Sequence, residues 1–215
     1  MLSLARRLLA ARAAAAGVEF VVVLPLMLAL LAGVADLGLA IIMAGRLAAA
    51  AGDVALIAST MAVQSSNPNA ITGMQAWQAT TAPFALFPMW RSGGTFSITV
   101  SAVDFTADKG GGWRASVRWS VANPLGRPVL RACGALAPAA DTAPPGMTTL
   151  PAGAFGPTSL LVGDVRADFV PMFTSVFLGP VTIARSAYVS PRVNNGVSLA
   201  GAGPGVMAIC PPPSS

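Results

Sequence analysis

With histidine absent from its 215 residues, this chain offers Glu19, seven aspartates and two cysteines, Cys133 and Cys210, as its carboxylates and thiols for proton transfer or metal binding. Without histidine there is no Ser-His-Asp triad and no imidazole shuttle, and two cysteines fall short of a four-ligand Cys/His zinc site. Beyond the N-terminal region the acids are Asp104, Asp108, Asp141, Asp164 and Asp168. Asp164 and Asp168 share a face of a predicted strand, but four residues of strand hold them about 13 Å apart, too far for a working carboxylate pair. The expectation is a non-enzyme with no catalytic residue, metal or cofactor. What remains for these groups is charge pairing by the acids and a bridge between the thiols.

The elements that position them are unusual for a globular chain. Hydrophobic residues make up 54% of the sequence and charged ones only 10%, against roughly 25% charged in soluble domains. Of thirteen basic residues, Arg6, Arg7 and Arg12 lie at the front, leaving ten against eight acids elsewhere. That balance offers no basic stripe for phosphates, and no nucleic-acid partner is expected. Phe20 to Ile42 reads FVVVLPLMLALLAGVADLGLAII, with Asp36 its one charge. These 23 residues make roughly 34 Å of helix, enough to cross a hydrocarbon core of about 30 Å. Three arginines before the span and only Arg46 close behind it predict a cytoplasmic N-terminus and an outer C-terminal domain. The run is longer than the core of a cleaved signal peptide, so a retained single span in the bilayer is expected. Pro25 reads as a tolerated kink. Asp36, near the outer end, reads as an interfacial carboxylate that reaches water. Glu19 abuts the span as a helix-start acid, a position the macrodipole favours.

Arg12 to Gly38, RAAAAGVEFVVVLPLMLALLAGVADLG, resembles the N-terminal region of the TadE-like pseudopilins of the Tad/Flp pilus system. The residues that carry the resemblance are Val18, Glu19, Phe20, Pro25, Gly33, Asp36 and Gly38. A second stretch, Val165 to Arg192, is similar to that family's closing hairpin, with a Pro-Phe bend and a Pro-Arg ending. The resemblance implies a pilin-like packing of helix on sheet and cleavage by a prepilin peptidase between Ala14 and Ala15, leaving residues 15–215. Ala14 stands where the family usually has glycine. It further implies that Glu19 pairs with the new terminal amine of a neighbouring subunit. Implied partners are other pilin-like subunits and the inner-membrane assembly proteins, with the outer domain periplasmic and a role in adhesion and surface colonisation. The alternative class is a single-pass tether for a periplasmic binding or structural domain.

Past the span the sequence stays helical to about Gln64, with Gly38, Gly45 and Gly52 recurring every seven residues, the small-residue spacing of close helix packing. Residues 1–14 are thus a basic leader, 15–64 a long helix, 65–93 a connector containing Asn67-Pro68, Trp77, Phe84, Phe87 and Trp90, and 94–215 an antiparallel β domain. Alternating residues predict strands at 95–105 and 113–122, joined by the turn Asp108 to Gly112. Trp113, Ala115, Val117, Trp119 and Val121 are assigned to one face. Leu160 to Val170 and Gly179 to Val189 form a second predicted hairpin, giving an α+β fold with roughly four strands. Residues 134–157 read as a Pro/Gly-rich surface loop, and the tail as irregular with a short edge strand at 206–209. Both cysteines fall on the oxidising side of the membrane, which favours a Cys133–Cys210 disulfide.

Overall fold

The computed structural model describes residues 2–64, 69–86, 96–175, 177–191 and 196–211, with side chains omitted at 2–19, 63–64 and 85–86. Asn67-Pro68, Phe87, Trp90 and Arg192 lie outside the described residues. The first element, α1, is a helix over Leu2–Gln64 that runs through Pro25. Ala and Leu are the strongest helix formers, and an apolar helix tolerates an early proline. The chain divides into two compact units, Met1–Ile42 with Phe169–Val181, and Met43–Asp168 with Thr182–Ser215.

In the first unit every large apolar side chain from Phe20 to Ile42 is exposed. In the second unit the same helix behaves differently. Leu47, the pair Ala50 and Ala51, Val54, Ala58 and Ala62 follow one another at helical spacing and are fully buried, the stripe of a helix packed on one side only.

The remaining elements are β1 (Ala70–Thr72), α2 (Gly73–Thr81), α3 (Pro83–Leu86), β2 (Phe96–Ala107), β3 (Trp113–Ala122), β4 (Ala135–Ala139), β5 (Thr149–Pro151), β6 (Leu160–Phe169), β7 (Val181–Val189), β8 (Ser198–Ala200) and β9 (Val206–Ile209). Among the described residues the main sheet has seven strands in the order β5-β4-β3-β2-β6-β7, with β9 also paired to β3. The roughly four-stranded sheet expected from alternation, β3-β2-β6-β7, is therefore one end of it, and β4, β5 and β9 are added beside β3 and beyond. Residues 134–157, expected as a loop, supply β4 and β5. Their Pro- and Ala-rich strands are too short to show a period of two. Part of the expected connector is likewise structured: Thr72 and Gln75 form a reciprocal capping box that starts α2, and Phe84 packs edge-to-face on Phe96.

The buried stripe of α1 lies against Ile98, Val100, Trp119, Val121, Leu161 and Val165 of β2, β3 and β6. Contact is closest at Gly163, where a Cβ would stand 2.3 Å from the Ala51 carbonyl oxygen. The other face holds a second cluster, including Val103, Ala115, Val117, Leu136, Leu150 and Val162. Assigning alternate β3 residues to a single face is thus incorrect. Ala102 pairs with Trp119 but Val103 with Val117, so Arg118 is an extra residue in the ladder. Such a bulge exchanges the faces of the strand on either side of it. Ala115 and Val117 consequently belong to one core, and Trp119 and Val121 to the other.

Candidate functional site

The acid within the apolar run of α1 is held by a loop far away in sequence. Asp36 is 5% exposed. Its Oδ1 accepts the backbone N–H of Met172 at 2.9 Å, and its Oδ2 accepts those of Phe173 at 3.1 Å and Thr174 at 2.7 Å. The Thr174 hydroxyl donates to Oδ2 as well, at 2.7 Å. Three consecutive amides and a hydroxyl converging on one carboxylate make a backbone nest, an arrangement suited to an anion. The nest is closed behind Thr174, whose carbonyl accepts the N–H groups of Phe177 at 2.9 Å and Leu178 at 2.8 Å. Both partners, helix and loop, belong to the first unit. The expectation that Asp36 reaches water is overturned, because donors of the chain itself cover the carboxylate. Its ligands lie some 136 residues away, beyond any local pattern, although Pro171 and the small Thr174 and Ser175 were a turn signal in the loop.

The other sequence-derived positions distribute as follows. Ala14, Ala15, Val18 and Glu19 lie on α1, and their side chains are outside the described residues. Phe20 is exposed and Pro25 sits within the helix. A Cβ added at Gly33, Gly38, Gly45 or Gly52 would meet nothing within 4 Å, so these glycines are not required by packing within the chain. Cys133 and Cys210 form the expected disulfide, spanning 77 residues. Cys210 closes β9, and its N–H donates to the Arg118 carbonyl at the bulge.

A buried ion pair was not legible in the sequence. Arg131 is fully buried, and its guanidinium donates to Asp164 through Nε at 2.6 Å and Nη2 at 2.9 Å. Arg131 Nη1 also reaches the Thr149 carbonyl at 3.2 Å, and the Ser186 hydroxyl donates to Asp164. The surrounding side is polar: Ser101 and Ser120 share a hydrogen bond at 2.8 Å, and the Arg131 N–H donates to Ser120 at 3.1 Å. Tyr188 stands nearby, and burial raises its phenol above the ordinary value despite a hydrogen bond with Ser186. Every donor of the pair that the geometry engages is aimed at protein oxygen, which makes this a structural clamp between the 131 segment, β5, β6 and β7. Its placement explains why Asp164 and Asp168 do not act together: Asp168 turns to the Thr182 hydroxyl at 2.6 Å instead.

Among the described residues, one helix long and apolar enough to cross a membrane, followed by a β-rich unit stapled by a disulfide, defines the class: an α+β chain with a candidate N-terminal anchor. Within that class one stretch of the chain has a known likeness: residues 13–56 match the family model described as TadE-like protein. The match contains Val18, Glu19, Phe20, Pro25, Asp36 and Gly38, and ends before the closing hairpin. No curated protein and no solved structure matches the chain.

Proposed function

We propose that the chain is a non-enzymatic component of Tad-type pilus assembly, a pseudopilin or minor pilin anchored by α1 in the inner membrane. The observation that carries this reading is the TadE-like match over 13–56, on a helix whose apolar side chains stand exposed from Phe20 to Ile42. Such a surface is stable only against lipid or other helices. The arginines ahead of the span favour an N-terminus in the cytoplasm and a β unit in the periplasm, where the disulfide is stable.

In this reading a prepilin peptidase cuts between Ala14 and Ala15. The Ala15 amine of one subunit then meets the Glu19 carboxylate of its neighbour as each enters the growing assembly. Two opposite charges out of water offset one another when paired, and leaving either alone is strongly unfavourable. The test is Glu19→Ala in cells that carry the remaining assembly proteins. Insertion and abundance should hold while piliation falls at least about a hundredfold, since one unpaired buried charge costs about 3–5 kcal/mol. Unchanged piliation overturns the role of the carboxylate. The mass of the mature protein checks the cut, and an intact Met1 beside an active peptidase favours the alternative of a simple membrane tether.

A further inference from the structure

We infer that the loop between β6 and β7 is a second membrane-embedded element, dipping into the outer leaflet beside the spanning helix. This rests on the reading of residues 20–42 as a membrane span.

Four observations point to lipid as the occupant. The loop is fixed to α1 at Asp36, six residues before the apolar run ends at Ile42, which places the contact about 9 Å inside that end. The loop's exposed side chains are those that hydrocarbon would accept: Val170, Met172, Phe173, Phe177 and Leu178, with Phe177 86% exposed. No charged residue occurs between Asp168 and Arg185. The backbone also goes part of the way to the requirement that irregular chain at membrane depth satisfy its own polar groups. Within 170–180, five N–H groups are bonded, at Met172, Phe173, Thr174, Phe177 and Leu178. Pro171 and Pro180 have none to satisfy. A soluble loop has no need of these features together. The carboxylate inside the span and the polar amides inside the loop each remove the other's desolvation cost, so they enter the bilayer as a pair.

The experiment uses the full chain, oxidised so that Cys133 and Cys210 remain bridged, in phosphatidylcholine–phosphatidylglycerol vesicles. Single variants Phe177→Cys, Leu178→Cys, Leu30→Cys and Thr142→Cys carry an environment-sensitive fluorophore, and quenching by nitroxide lipids is read. Leu30 lies in the apolar run and Thr142 is exposed in the second unit. Leu30 should be strongly quenched. Phe177 and Leu178 should respond most to a nitroxide near the headgroup end of the acyl chain, at least about threefold above Thr142, as expected for insertion of about 5–10 Å. Quenching at Leu30 with Phe177 and Leu178 no different from Thr142 overturns the insertion and leaves the anchor standing. Absence of quenching at Leu30 overturns the anchor and the insertion with it. Protection of Phe177 only when subunits assemble, without lipid quenching, assigns the patch to a second copy and overturns the proposal.

Discussion

Replacing Asp36 by asparagine separates a carboxylate cradle from a loop that merely lies against the helix. The side chain keeps its size but loses its charge and one of two acceptor oxygens. If the Oδ2 position becomes nitrogen, the Thr174 N–H at 2.7 Å faces a donor; if Oδ1 does, the Met172 N–H at 2.9 Å is orphaned. One hydrogen bond to a charged acceptor is thus lost outright, a factor of roughly ten to a hundred in the opening equilibrium. The surviving bonds lose charge assistance and about half their strength, which takes the total to the order of a thousandfold. Amide exchange read by mass spectrometry on the full chain in detergent micelles reports this opening directly. Peptides covering 170–178 should exchange at least about a hundredfold faster, while those from β2 and β3 keep their protection. Thr174→Val removes only the hydroxyl contact at 2.7 Å and should give roughly ten- to a hundredfold. Exchange in 170–178 within about threefold of the parent for Asp36→Asn refutes the cradle, because that is less than any charge-assisted bond contributes.

Three further outcomes follow from the second unit. Asp164→Asn should destabilise the chain by about 3–5 kcal/mol in denaturant unfolding, since Arg131 is left buried without its counter-charge, whereas Arg131→Met with Asp164→Leu should recover most of that loss. A double variant as damaged as the single one would show that the pair does more than neutralise itself. Cys133→Ser opens a 77-residue loop, worth about 4 kcal/mol in the chain-entropy model. It should lower the thermal midpoint by roughly 10 °C and expose the tail to protease; equal resistance would show that β9 needs no staple. Gly163→Ala should cost about 1–3 kcal/mol or more, because the new Cβ would stand 2.3 Å from a helix carbonyl that side-chain motion cannot move away. Gly45→Ala, with nothing within 4 Å, should instead stabilise the helix by about 1 kcal/mol. Equal effects at the two glycines would contradict the packing of α1 on β6.

The parts legible in the sequence were those whose signal is local. The long apolar helix and the strands of β2, β3, β6 and β7 declared themselves by period, and β3 begins and ends at the residues expected, Trp113 and Ala122. What was hidden depended on partners distant in sequence. The Arg118 bulge leaves the apolar alternation of β3 unbroken, so one pattern serves two cores and reads as one face. β4 and β5 take their order from neighbours rather than from β propensity, as the sequence ALAPA shows. Arg131 sits between the predicted strand ending at Ala122 and the loop expected from residue 134, where no period marks it, and only the fold brings it to Asp164. The α2 cap, by contrast, was open to view, since Thr72 and Gln75 have the spacing of a capping box.

The two acids at the edges of the apolar run pose one electrostatic problem with two different solutions. A carboxylate that enters hydrocarbon must bring donors or a counter-charge, or remain at the interface. Asp36 brings donors from its own chain, and the four donor groups that bond it all belong to a single subunit. Such a group has nothing further to gain from a neighbour and therefore does not drive association. In the proposed assembly Glu19 is the reverse case, since its counter-charge is a terminus on another molecule. In that proposal the chain enters the bilayer with its outer acid solvated by its own donors and its inner acid without a partner, so the gain from pairing is concentrated at one end of the helix. Asp36→Asn should accordingly loosen the loop yet leave subunit pairing intact, while Glu19→Ala should do the opposite. Measuring exchange in 170–178 and piliation in both variants distinguishes the two roles, and a variant that impairs both equally would show the acids to be coupled.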